Sequence, residues 1–215
     1  HWGTALWHQG MYADARQHLE RAAAIAQRLQ LQQIHADSVR RLSRVTCEMG
    51  KYAEARDYGE QSLAICRTLG ERQREARTLN DLGIVADSQG DYVASKTYYE
   101  RSLQLHREIG DQPGEAGALM NLGAVAADQG EYSQAEHYLE QALHLFREAG
   151  NPRDESIVLE NLGDSARWQG DVAHATTCYE HALRICRRIG DLQGQSFMLG
   201  NLGLVAHQRG DYYAA

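Results

Sequence analysis

Apolar residues recur at spacings of three and four along most of this chain, and the whole pattern then repeats. Leu79, Leu82 and Ala86 form one such stripe, which lies on a single face of an α-helix. The same positions carry Leu119, Leu122 and Ala126, then Leu159, Leu162 and Ala166, then Leu199, Leu202 and Ala206. Each set lies 40 residues after the last. A second stripe follows within each unit: Ala135, Leu139 and Ala142 in one, Ala175, Tyr179 and Ala182 in the next. Two helices per unit follow, termed A and B, each about 18 residues and about 27 Å long. A fixed period of roughly 20–50 residues marks stacked supersecondary units rather than one closed core.

Glycine punctuates the pattern at positions 10, 50, 90, 130, 170 and 210. These residues suit the left-handed conformation that ends helix A. Asp91, Glu131 and Asp171 come next, where carboxylates complement a helix N-terminus. Gly70, Gly110, Gly150 and Gly190 end helix B, and Asp111, Asn151 and Asp191 are predicted N-caps for the following helix A. Pro152 falls at a first helical position, where its missing N–H costs little. Glycine inside a helix costs about 1 kcal/mol, so Gly83, Gly123, Gly163 and Gly203 are expected where helices A and B approach closely.

The composition fits an all-α chain. Of 215 residues, 43% are hydrophobic and two are proline. No run of about 18 apolar residues predicts a membrane span, and no signal peptide is visible. The four cysteines make no CxxC pair and read as free thiols of a reducing cytoplasm. A net charge of −7 argues against general nucleic-acid binding. It is unevenly spread: residues 1–80 carry 12 Lys and Arg against 9 Asp and Glu, for +3, and the remainder carries −10.

The segments NDLGIVADSQGDY, MNLGAVAADQGEY, ENLGDSARWQGDV and GNLGLVAHQRGDY resemble the tetratricopeptide repeat. Leu119, Leu122, Gly123 and Ala126 stand for its helix A pattern, and Ala135, Leu139 and Ala142 for its helix B pattern. The usual unit has 34 residues and this one 40, similar to the long-helix arrays of Pins/LGN adaptors and of bacterial multidomain regulators. The resemblance implies an α-α superhelix over residues 1–215, with repeats at about 1–30, 31–70, 71–110, 111–150, 151–190 and 191–215. Repeat two departs from the pattern, with Arg41 and Ser43 where other repeats have Asn or Asp and Gly.

Function is expected on the concave groove that helix A lines in this family. The groove positions are Asp37, Arg40, Arg41 and Arg44; Arg77, Asn80, Asp81 and Ile84; Gly117, Met120, Asn121 and Ala124; Ile157, Glu160, Asn161 and Asp164; and Phe197, Gly200, Asn201 and Leu204. Asn121, Asn161 and Asn201 form a ladder of carboxamides, each able to donate and accept toward a peptide backbone. The alternative role is hydrogen bonding to the adjacent helix. Arg40, Arg41, Arg44 and Arg77 form a basic cluster whose guanidinium forks suit an acidic or phosphorylated partner, unless Asp37 and Asp81 neutralise it. Trp168 reads either as a binding hot spot or as a packed residue.

Catalytic signatures are not evident: the chain carries no nucleophile elbow, phosphate loop, HExxH or paired-carboxylate arrangement. His174, Cys178 and His181 share a helix face at i, i+4 and i+7, but no fourth ligand accompanies them, and no metal or cofactor is expected. The expectation is a non-enzymatic, cytoplasmic scaffold for a protein or peptide, without nucleic-acid or membrane partners. The alternative is the sensor arm of a larger regulator, working through intramolecular contacts. The chain begins and ends inside the repeat pattern, so end-to-end self-association through uncapped repeats is also expected.

Overall fold

A computed structural model describes residues 11–209 and shows ten α-helices and no strand among them. The chain divides into two compact units at Gly114 and Glu115. The first contains α1 (Tyr12–Arg28), α2 (Gln32–Glu48), α3 (Tyr52–Leu69), α4 (Arg72–Ser88) and α5 (Tyr92–Ile109). The second contains α6 (Gln112–Asp128), whose first turn begins at the boundary, then α7 (Tyr132–Glu148), α8 (Pro152–Trp168), α9 (Val172–Ile189) and α10 (Leu192–Arg209). Even-numbered helices are the A helices and odd-numbered ones the B helices. All are 17 or 18 residues long.

The turns form as the punctuation predicts. Every glycine from Gly50 to Gly190, twenty residues apart, has a positive φ. In the turn after α4, the Asp91 N–H reaches back to the Ala86 carbonyl at 2.9 Å while Gly90 N–H bonds Asp87. This closes the helix end by the six-to-one bond of a Schellman motif. The equivalent site in the first turn holds Gln30, a non-glycine at φ 56°. Asp91, Asp111, Asn151, Asp171 and Asp191 each accept from the backbone N–H three residues on, as N-caps do. Glu131 makes no such bond. Gly10 and Gly210, like both chain ends and the expected end-to-end contact, lie outside the described residues.

In the first unit the core runs from Ala15, Leu19 and Ala23 through Val39, Leu42 and Val45, and on to Leu63, Ala76, Leu79, Leu82 and Leu105. The second unit buries Leu119, Leu122, Leu139, Val158, Leu159, Leu162 and Tyr179. Small residues set the spacing. A methyl group added at Gly83 would lie 2.5 Å from the Tyr99 ring, and at Gly163 2.5 Å from the Tyr179 ring. At Gly123 it would lie 2.6 Å from Leu139. Close approach thus holds at three of the four expected glycines. The helix B that would approach Gly203 lies outside the described residues, and nothing among those described comes within 4 Å of its would-be methyl.

Repeat two solves the same packing problem in reverse. Ser43 stands where Gly83 stands one repeat later, and Gly59 where Tyr99 stands. The buried Ser43 Oγ donates to the Ala55 carbonyl at 2.6 Å. A methyl at Gly59 would meet Leu82 at 2.5 Å and the Ser43 Oγ at 3.2 Å. The bulk has moved from helix B to helix A. Ser62 and Ser102 occupy alanine positions of helix B and donate to the Ala36 and Ala76 carbonyls, which satisfies hydroxyls that are otherwise costly to bury.

Candidate functional site

Within the first unit α2 packs against α4, so their outward residues share one face. Arg40 and Arg44 lie one turn apart on α2 and both reach Asp81 of α4, at 2.5 and 3.0 Å. The Asp81 side chain is only 4% exposed. A carboxylate so far from water needs charged donors on both oxygens, and the two guanidinia supply them. Arg74, which the sequence pattern did not single out, bridges Asp37 at 3.4 Å and Glu71 at 2.8 Å. Arg41 and Asn80 are half-buried and also engaged. Arg77 is exposed, and its charge helps hold the Asp111 carboxyl below the usual range. Burial acts against that shift, and hydrogen bonds from Gln73 and the Gly114 N–H outweigh it. The basic cluster is therefore largely a clamp between two A helices.

The second unit places Asn121 on α6, Asn161, Asp164 and Trp168 on α8, and Asn201 on α10. Asn161, Asp164 and Trp168 fall at i, i+3 and i+7, one face of α8. The three asparagines do not behave alike. Asn201 Nδ2 donates to Glu160 Oε1 on the neighbouring A helix at 3.5 Å, and Asn121 is engaged as well. Asn161 is half-buried and makes no hydrogen bond among the described residues. Helix-to-helix bonding thus describes Asn201, whereas the carboxamide of Asn161 has no such partner among the described residues.

Asp164 accepts a 2.7 Å hydrogen bond from the Tyr179 hydroxyl of α9. Burial and this carboxylate push the phenol well above its ordinary range. Burial, followed by the nearby Asp164 charge, also pushes the Glu160 carboxyl up. Arg167 lies 3.6 Å from Asp164, and its guanidinium sits 4.7 Å from the centre of the Trp168 ring. Trp168 itself is 63% exposed.

The remaining candidate chemistry separates in space. Cys178 is buried while His181 is exposed, so the predicted ligand spacing does not converge. Among the described residues no group of three His, Cys, Asp or Glu can hold a metal ion. All four cysteines are buried and unpaired, and burial pushes the Cys178 thiol up to about 11. No helix among the described residues is long and apolar enough to cross a membrane.

The model of the tetratricopeptide repeat matches residues 1–68, 32–108, 74–148 and 154–215. The chain belongs to the tetratricopeptide repeat family. Its architecture is the all-α, α-α superhelix of antiparallel helix pairs. Among solved structures it is similar to BtubC (BKLC) from P. vanneervenii, at 21% identity and a TM-score of 0.83, covering 94% of this chain and 85% of that one. It is also similar to the nearly identical TPR-like repeats of a Podosopora anserina putative kinesin light chain, at 16% identity and TM-score 0.69, with 88% and 93% covered. A third is a Rap protein complexed with Competence and Sporulation Factor, at 13% identity and TM-score 0.70, covering 97% of this chain and 62% of that one. At these identities the likeness is one of fold. No curated protein matches the sequence.

Proposed function

We propose that this array is a protein-interaction scaffold that grips an extended peptide segment on its A-helix face. The observation that carries the reading is Trp168. A tryptophan that is 63% exposed, braced by Arg167 and aligned with the open carboxamide of Asn161, is costly to leave in water unless a partner covers it. Asn161 offers a donor and an acceptor to a peptide backbone, and Trp168 offers apolar area for one side chain. A neighbour of the same fold is a Rap protein complexed with Competence and Sporulation Factor, which is consistent with this use of the architecture. The fold alone fixes no function. The reading rests on these side chains.

The test is selection of a displayed random-peptide library on the intact protein, followed by affinity measurement against Asn161→Ala and Trp168→Ala. Each substitution should weaken the selected peptides at least about tenfold, or ~1.4 kcal/mol, with the helical circular dichroism unchanged. Selected peptides that bind both variants as tightly as the parent would sink the proposal.

A further inference from the structure

Away from the A-helix face, a cleft recurs at one register of the repeat. It opens where the C-terminal ends of two successive B helices meet the start of the A helix between them. Between α1, α2 and α3 it is lined by Gln27, Gln30, Gln32, His35, Gln61 and Thr68, without a carboxylate or guanidinium. At the same register, between α4 and α5, the cleft holds Arg72 and Arg101 against Glu75 and Glu108. Between α7, α8 and α9 it measures about 460 Å³ and is lined by Arg147, Glu155, His181, Arg184, Ile185 and Arg188. One geometry therefore carries three chemistries, and only the last has an excess of cations.

The excess is not consumed by ion pairs within the site. Arg147 is bridged to Glu155 at 2.9 Å, as its repeat equivalent Arg67 is bridged to Glu75. That pair ties a helix B end to the next helix A. Arg184 and Arg188 have no carboxylate partner among the described residues; Arg184 touches only the Glu180 carbonyl, at 3.4 Å. Positions equivalent to Arg184 hold Ala24, Ala64, Gln104 and His144, and those equivalent to Arg188 hold Arg28, Thr68, Glu108 and Glu148. The fold accepts neutral or acidic residues at both places. A helix C-terminus favours cations in its last turn, which accounts for Arg187 and Arg188 but not for Arg184 a turn earlier.

We propose that the cleft between α7, α8 and α9 is a second binding site, taking an acidic segment of a partner protein. Arg184 and Arg188 stand one turn apart, about 6 Å along the helix. Alternate side chains of an extended peptide lie about 6.6 Å apart on one face. Two acidic residues separated by one other therefore meet both guanidinia, each in the forked geometry that suits a carboxylate. The stripe from His181 to Arg188 spans about 10 Å, longer than one phosphate group and suited to a short strand. The site does not depend on the A-helix reading, since it shares no residue with it.

The probe is a fluorescein-labelled hexapeptide with glutamate at alternate positions. Fluorescence anisotropy on the full chain compares it with its glutamine counterpart and with inorganic phosphate as competitor. The glutamate peptide should bind, weaken as salt rises, and lose at least about tenfold affinity in Arg184→Glu/Arg188→Glu. Arg101→Glu, in the charge-balanced cleft, should leave its affinity unchanged. Circular dichroism confirms that each variant is folded, and Arg184→Gln/Arg188→Gln provides a milder pair. Absence of binding, equal binding of the glutamine peptide, indifference to the Arg184 and Arg188 variants, or binding of phosphate alone would each overturn the proposal.

Discussion

Alanine at Gly163 and alanine at Gly117 should change stability in opposite directions, although both replace a glycine inside an A helix. At Gly163 the new methyl would lie 2.5 Å from Tyr179 Cε1 and 2.8 Å from Cδ1. Carbon atoms prefer about 3.5–4.0 Å, so the overlap is about 1 Å. The Tyr179 ring is fully buried and anchored by its 2.7 Å bond to Asp164. It cannot yield without losing that bond. Overpacking costs about 1–3 kcal/mol, and a strained charge-assisted hydrogen bond adds to that up to about 2 kcal/mol. The better helix propensity of alanine returns about 1 kcal/mol. The net expectation is a loss of about 2 kcal/mol at Gly163.

At Gly117 nothing among the described residues lies within 4 Å of the new methyl, and only the propensity gain of up to about 1 kcal/mol remains. For a chain of this length about 2 kcal/mol corresponds to a fall of roughly 4–8 °C in Tm. Repeat arrays need not unfold in one step. Thermal melts followed at 222 nm should therefore be paired with hydrogen exchange of the α8 and α9 amides. Those amides should lose protection in Gly163→Ala and keep it in Gly117→Ala. A neutral or stabilising Gly163→Ala, or shifts of the same sign in both variants, would refute the packing argument.

Asp81→Ala should cost about 2–3 kcal/mol, because it strands Arg40 and Arg44 around a site that is nearly closed to water; an unchanged urea midpoint would show that the clamp is idle. Glu160→Gln should raise stability at neutral pH. The folded-state pKa of Glu160 is raised, so its contribution is present below the unfolded value of about 4.3 and is lost as pH rises through the folded one. Glutamine still accepts from Asn201, and the advantage should close as pH falls toward 4. Stability curves of the two proteins that run parallel from pH 4 to pH 8 would contradict the assignment.

The candidate site was legible in the sequence only in part. The 40-residue register correctly put Arg40, Arg44, Asp81, Asn161, Asp164 and Trp168 on A helices, because helical periodicity fixes which residues share a face. It could not decide which of them were already engaged. Asp81 and Asp164 look alike in sequence. One is clamped by two arginines from the preceding A helix, and the other receives a tyrosine from the following B helix. The three asparagines also look alike, and only Asn161 is open. A signal for the second cleft was present in the repeat itself: Arg184 breaks a register that holds Ala24, Ala64, Gln104 and His144 elsewhere, and Arg188 one that holds an arginine elsewhere only at Arg28. Without knowing that those positions line a common cleft, nothing marked the break as chemistry.

The sequence alone determined helix number, length and punctuation, because those depend on local matters: a 3.6-residue period, caps, and glycine where φ must be positive. It also determined the family, since the small and large positions recur at fixed intervals. The tertiary structure decided which small residues are required. Gly163 is pressed by a tyrosine while Gly117 has open space beside it, and Ser43 and Gly59 exchange bulk across one helix pair. Exposure and pairing were decided there too, leaving Trp168, Asn161, Arg184 and Arg188 open while Arg40 and Arg44 are spent on Asp81. A repeat register assigns each residue a position, but whether a side chain is free depends on what the neighbouring helices bring against it.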